Sequence, residues 1–143
     1  MKTKVKKCAA VALAAVAIFA VLSYFAPKQL EIPDGEEIYV SYVEPTLEVV
    51  DMNSTARMET SEYHFSPGDE GYDELIETLE GITYHNCFKT LTGSTSVSDI
   101  DYVIYVWVGE ECYCFYDRGY LMADKIYYVA ENSVENIRKV IAS

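Results

Sequence analysis

Basic residues are scarce in this chain, and histidine, tryptophan and cysteine are scarcer still. Of 143 residues, 11 are Lys or Arg, two are His, one is Trp and four are Cys. After Ala26, seven basic residues face all 23 acidic ones, which leaves that part of the chain at −16. Binding to a phosphate backbone depends on cationic neutralisation, so nucleic acid is excluded as a partner. Anionic lipid headgroups are repelled for the same reason. A charge of this size and sign suits an exposed, soluble surface.

Two histidines leave little room for metal or nucleophile chemistry. Neither His64 nor His85 has a second His, Cys or carboxylate at a metal-helix spacing, and no HExxH is present. No serine sits in a G-x-S-x-G elbow, and no glycine-rich loop is available to cradle a phosphate. The acidic pairs Glu36-Glu37, Asp69-Glu70 and Asp73-Glu74 lack an EF-hand spacing, and the residues from Ser66 to Gly71 are explained by a helix start. The sequence therefore predicts no catalytic residue, no cofactor and no resident metal. Internal repeats are missing too.

Long uncharged runs are also missing, with one exception. Ala9 to Ala26 is eighteen residues without a charge, about 27 Å as a helix. Lys2, Lys4, Lys6 and Lys7 precede it, which predicts a cytoplasmic N-terminus and an acidic domain outside. Residues 1–26 are thus expected to be a basic n-region followed by a single-pass anchor in the cell membrane. The alternative is a cleaved signal peptide, with Val21-Leu22-Ser23 or Ala15-Val16-Ala17 as cleavage candidates and a secreted product.

Residues 27–35, with Pro33 and Asp34-Gly35, read as a linker, and residues 36–143 as one extracytoplasmic domain. Ile38, Val40 and Tyr42 alternate with Tyr39, Ser41 and Val43 as in a strand that Pro45 stops or bends. Leu47 to Asp51 and Arg57 to Phe65 flank Asn53-Ser54-Thr55 as a hairpin would. Tyr72, Leu75, Ile76 and Leu79 form one apolar helix face after the acidic start Asp69 to Glu74, with Gly81 expected in the left-handed conformation at its end. Thr83 to Leu91 reads as extended, and Thr92 to Ser96 as a loop.

Tyr102 to Val108 is β-branched and aromatic throughout, as in a central strand covered on both sides, so Trp107 is expected to be buried against Leu75, Ile76 or Leu79. Tight turns at Gly109-Glu110-Glu111 and Asp117-Arg118-Gly119 lead to Cys112 to Tyr116 and to a last strand, Tyr120 to Ala130. Asn132 and Glu135 form a capping box for a final helix with Val134, Ile137 and Ile141 on its apolar face. The sum is an α+β fold: an antiparallel sheet of about four to six strands packed by one or two helices, preceded by the transmembrane or signal helix.

The order IPDGEEIYVSYVE, DELIETLEGI, YHNCFKTL, DYVIYVWV and CYCFYDRGYLMADKIYYVA resembles small signal-anchored extracytoplasmic domains of unknown function from Gram-positive bacteria, with Lys125 standing where that outline has a glycine. The resemblance covers about Ile32 to Ile141 and implies no catalytic residues.

Three cysteines follow the apolar run, an odd number, so at least one is free or paired between chains. Cys112 and Cys114 project to one face of a strand, and a disulfide from Cys87 to either requires the two strands to lie together; the other reading is three buried small hydrophobes. Thirteen tyrosines join apolar bodies to polar tips, as binding faces do, and Tyr105, Tyr113 and Tyr127 are the candidates. The functional expectation is a non-catalytic, membrane-tethered binding module for a peptide, protein or envelope component, in sensing, inhibition or immunity. The alternatives are a secreted hydrolase and an accessory subunit of an envelope complex. A pocket converging His85 with carboxylates would favour the enzyme, and an aromatic face would favour binding.

Overall fold

A computed structural model describes the backbone of residues 2–50 and 53–143, and the side chains of residues 8–46 and 57–143. The element order is α1 (Lys2–Tyr24), β1 (Lys28–Gln29), β2 (Ile38–Val50), β3 (Asn53–Phe65), α2 (Tyr72–Glu80), β4 (Thr83–Asn86), α3 (Phe88–Thr92), β5 (Val103–Val108), β6 (Glu111–Tyr116), β7 (Tyr120–Met122), β8 (Ile126–Val129) and α4 (Glu131–Ile141). All eight strands join one antiparallel sheet in the order β1-β4-β8-β7-β6-β5-β2-β3. The fold is α+β, with more strands than the four to six expected.

Two of the additional strands have clear local causes. Tyr120 to Ala130 splits into β7 and β8, because the Ala123 amide bonds back to the Lys125 carbonyl and closes a turn. The 27–35 segment is built into the fold: β1 pairs with β4, and Leu30 and Ile32 are buried. The turns expected between β5, β6 and β7 are present. Gly109, at φ 57, occupies the first position of the two-residue β5–β6 turn, where a left-handed backbone matches the strand twist. Gly119, at φ 77, closes the next turn, and a Cβ there would stand 2.7 Å from the Val129 carbonyl, whose residue donates its amide to Gly119.

The core forms where α2 and α4 close over one face of the sheet. Leu75 and Leu79 from α2 meet Val134, Ile137, Val140 and Ile141 from α4 over Ile38, Val40, Ile104, Val106 and Phe115. Register explains this selection, since these strand residues stand in paired positions across β2, β5 and β6 and so share a face. At one border Tyr42 and Tyr102 pack at 5.4 Å, Arg138 of α4 lies over both rings, and the Tyr102 hydroxyl donates to Glu135. This cluster ties α4 to β2 and β5.

Several expectations are corrected. Gly81 sits at φ −70, an ordinary helical backbone, because the α2 helix ends without a left-handed residue, while Ile82 packs back into the core as expected. The extended stretch from Thr83 ends at Asn86, where Cys87 accepts at the start of α3 and its amide bonds the Thr90 hydroxyl. The last helix starts at Glu131 behind Ala130 with no side-chain cap, so Asn132 lies inside its first turn. Pro45 does not stop β2. It falls two residues beyond Val43, the last residue paired with β5, so its missing amide removes no bond to that strand. The hairpin register pairs Val50 with Asn53, so Asn53-Ser54-Thr55 belongs to β3 and not to the connection; Asp51 and Met52 lie outside the described residues.

Side chains along α1 from Cys8 to Ser23 are exposed, among them Leu13, Phe19 and Leu22. Its uncharged part, Cys8 to Tyr24, measures about 25 Å, short of a hydrocarbon core of about 30 Å. Among the described residues, no helix is long and apolar enough to cross a membrane. The end of α1 is tied to β4: Asn86 donates to the Tyr24 carbonyl at 2.6 Å, and His85 Nδ1 stands 3.4 Å from the Phe25 carbonyl.

Candidate functional site

The face of the sheet opposite α2 and α4 carries the residues that alternate with the core. Across β6, β5, β2 and β3 one row reads Cys112, Trp107, Tyr39 and His64, and the next reads Cys114, Tyr105, Ser41 and Glu62. Trp107 is therefore not buried against α2. One-residue alternation sends Val106 and Val108 to the helices and Trp107 the other way, where it stays half-buried. The strand's apolar composition suggested two covered faces, but α3 packs at the other end of the sheet, against β8 and β4, with Lys89 over the Tyr120 ring of β7.

Trp107 is the centre of an aromatic shelf. Its ring stacks on Tyr105 at 5.7 Å with 23° between planes and leans on Tyr39 at 5.3 Å. Beside it lies a cleft of about 400 Å³ lined by Gly35, Glu36, Glu37, Tyr39, His64 and Trp107. His64 Nε2 stands 3.5 Å from Glu37 Oε2, both well exposed. The Tyr39 hydroxyl donates to Glu62, and that carboxylate raises the phenol's pKa by opposing ionisation. Aromatic faces and carboxylates together form a surface that attracts cations, by the ring quadrupole and by charge.

The three candidate tyrosines do not share this face. Tyr105 belongs to the shelf, whereas Tyr113 and Tyr127 point toward the helix side, since each alternates with a residue of the opposite face. Tyr127 is buried, packs edge-on against Tyr84 at 5.0 Å and donates to Asp124 at 2.7 Å, while Tyr113 donates to Glu111 at 2.5 Å. Tyr39 and Trp107 were missed as partners of Tyr105. The two-residue alternation of β2 and β5 was available as a signal, but the pairing of those strands was not.

All the cysteines are free. Cys87 stands beyond the end of β4, and β8 and β7 lie between β4 and β6. Three strand spacings, about 14 Å, exceed the roughly 4.4–6.8 Å between Cα atoms that a disulfide tolerates, so Cys87 bridges neither Cys112 nor Cys114 here. Cys112 and Cys114 do share a face. The Cys114 thiol is buried, which together with the neighbouring Cys112 pushes its pKa up to about 12, and burial raises that of Cys112 as well.

Among the described residues His85 meets no carboxylate, and its Nδ1 faces the Phe25 carbonyl. Among the described residues no group of three or more His, Cys, Asp and Glu is placed to hold a metal ion. The Ser66–Asp69 pair forms a local turn, the Ser66 amide donating to the Asp69 carboxylate at 2.8 Å. Neither a protein-family model, nor a curated protein, nor a solved structure matches this chain.

Proposed function

We propose that the domain is a non-catalytic binding module whose open aromatic face takes a cationic segment of a peptide or protein. The observation that carries this reading is the Tyr39–Trp107–Tyr105 shelf, half-exposed and bordered by Glu36, Glu37 and Glu62. A Lys or Arg side chain laid on Trp107 would gain about 0.5–2 kcal/mol from the ring, and more from the carboxylates at its edge. The charge of −16 after Ala26 steers such a partner toward the domain from a distance.

The same reading holds the domain at the outer surface of a cell membrane by α1, with secretion after signal cleavage as the alternative. Support comes from the eighteen uncharged residues of Ala9 to Ala26, the lysines before them and the exposure of the α1 side chains. The resemblance to signal-anchored domains agrees with it and rests on the sequence pattern. A reporter fused after Ser143 should be active only outside the cytoplasm; activity inside would overturn this placement.

Trp107 is the only tryptophan, so its fluorescence reads the site directly. The full chain in detergent micelles, titrated with an oligolysine or oligoarginine peptide, should show saturable quenching that weakens with salt. Trp107→Phe removes the signal, so binding by that variant is followed calorimetrically, and Tyr39→Ala should weaken it about tenfold. Equal affinity for an oligoglutamate peptide, or none for either, would overturn the reading.

A further inference from the structure

Soft donor atoms gather on the open face beside the shelf. Cys112 and Cys114 lie two residues apart on β6 with their side chains on this face. Met122 of β7 stands directly across the ladder from Cys114. Side chains so paired have Cβ atoms about 4.5–5.5 Å apart, within the reach of a three-bond methionine chain. Met122 Sδ accepts from the Tyr116 hydroxyl at 3.8 Å, and Tyr116 is the residue two beyond Cys114 on the same face. Trp107 and Tyr105 stand across from Cys112 and Cys114 on the other side.

We propose that Cys112, Cys114 and Met122 form a binding site for a soft monovalent metal ion, Cu(I), with two thiolates and one thioether as ligands. The donor set selects the metal. Thiolate and thioether sulfurs favour Cu(I) over hard or borderline cations, and the set includes no imidazole or carboxylate. Zn(II) would need about four ligands of the N, O or thiolate type, and His64 lies three strands away from Cys112 across Trp107 and Tyr39. A disulfide between Cys112 and Cys114 is the competing fate. Two residues on an extended strand are about 6.6 Å apart, at the limit of what a disulfide spans, so the dithiol is the relaxed state.

On binding, two S–H bonds break and two S–Cu bonds form. Both protons leave to solvent, Met122 supplies a lone pair, and copper stays monovalent throughout. Because both thiols bind as thiolates, the apparent affinity should rise with pH. Cys114 is buried, with Tyr105 across the ladder and Tyr116 two residues along β6, and these apolar bodies limit water around the bound ion, as outer apolar groups do in other metal sites.

The test is an anaerobic titration of the reduced full chain in micelles with Cu(I), against a chromogenic Cu(I) chelator. The expected result is one high-affinity equivalent per chain, a thiolate-to-copper charge-transfer band and quenching of Trp107. Cys112→Ser should weaken binding at least a hundredfold and Met122→Leu about tenfold, while Cys87→Ser and Cys8→Ser leave it unchanged. Cys112 is half-exposed, so its replacement is expected to fold; Cys114→Ser repeats the test, with near-ultraviolet circular dichroism checking the fold. Binding that survives Cys112→Ser, binding that disappears in Cys87→Ser, or an affinity that Met122→Leu does not change would overturn the proposal. So would an equal affinity for Zn(II).

Discussion

On one face of the sheet Ile104, Val106, Phe115 and Leu121 lie sealed beneath α2 and α4, while on the other Tyr105, Trp107 and Tyr120, their neighbours along β5 and β7, and Cys112 of β6 stay half-exposed. Both rows come from the same three strands and are separated by one-residue alternation. The sealed face is aliphatic and gives the domain its cohesion. The open one carries large rings, thiols and a carboxylate rim, groups whose value lies in contact with something else. Tyrosine distinguishes the two by its partners: hydroxyls on the helix side bond to Glu135, Glu111 and Asp124, whereas the shelf rings mostly meet other rings.

The strongest attack on this contrast is Phe115→Ala. Phe115 is fully buried, and truncating such a ring costs about 3–5 kcal/mol, comparable with the whole stability of a small domain. Urea denaturation should show little or no folded protein. A loss below about 1 kcal/mol would mean that the helix-covered face is not where the fold keeps its stability.

Alkaline titration separates the faces by proton. Burial first, and then Glu135, Glu111 and Asp124, push the phenols of Tyr102, Tyr113 and Tyr127 up to about 12. Since the folded state holds these protons more tightly than the unfolded chain, their contribution is fully present below pH 10 and is lost as pH rises from about 10 to 12. Phenolate absorbance should therefore show at least three tyrosines ionising late and together with unfolding. Early, non-cooperative ionisation of all thirteen would break the assignment of Tyr113 and Tyr127 to the covered side.

Trp107→Ala comes next. It removes ring contacts with Tyr105 and Tyr39 worth about 0.5–1.5 kcal/mol each, and leaves no sealed cavity because solvent reaches the site. The variant should fold, with a stability loss of about 1–2 kcal/mol, and should lose binding of the cationic peptide. Failure to fold would return Trp107 to the core.

Legibility followed the range of each signal. The amphipathic face of α2, the burial of Val134, Ile137 and Ile141, and the turns at Gly109 and Gly119 depend on residues a few positions apart, and the sequence displayed them. What α2 and α4 cover depends on which strands pair, and that is set by contacts tens of residues apart. The composition of β5 concealed its faces because Tyr and Trp are as apolar in body as Val, so Trp107 was assigned to the wrong layer. The tyrosines suffered likewise: Tyr105 and Tyr113 are eight residues apart in sequence but on opposite sides of neighbouring strands. The β1 strand was unreadable since two residues carry no period at all. Met122 carries no local signal, because only the β6–β7 register sets it opposite Cys114.

The smallest effect is expected on a third kind of surface, the wet side of α2. Glu77 is exposed and has Asp73 and Glu74 one turn before it and Glu80 one turn after. Like charges at these spacings oppose the helix by about 0.2–0.5 kcal/mol each, and alanine has a slightly better helix propensity than glutamate. Glu77→Ala should therefore change stability by less than about 0.5 kcal/mol, with a stabilising sign at low salt. Because the effect is repulsion through solvent, raising the ionic strength should shrink it, whereas the losses from Phe115→Ala and Trp107→Ala should persist. Urea denaturation of all three variants at two salt concentrations makes the comparison in one experiment. A loss above about 1 kcal/mol for Glu77→Ala would show that this side chain has a partner on the domain, and that α2 covers more than one apolar face.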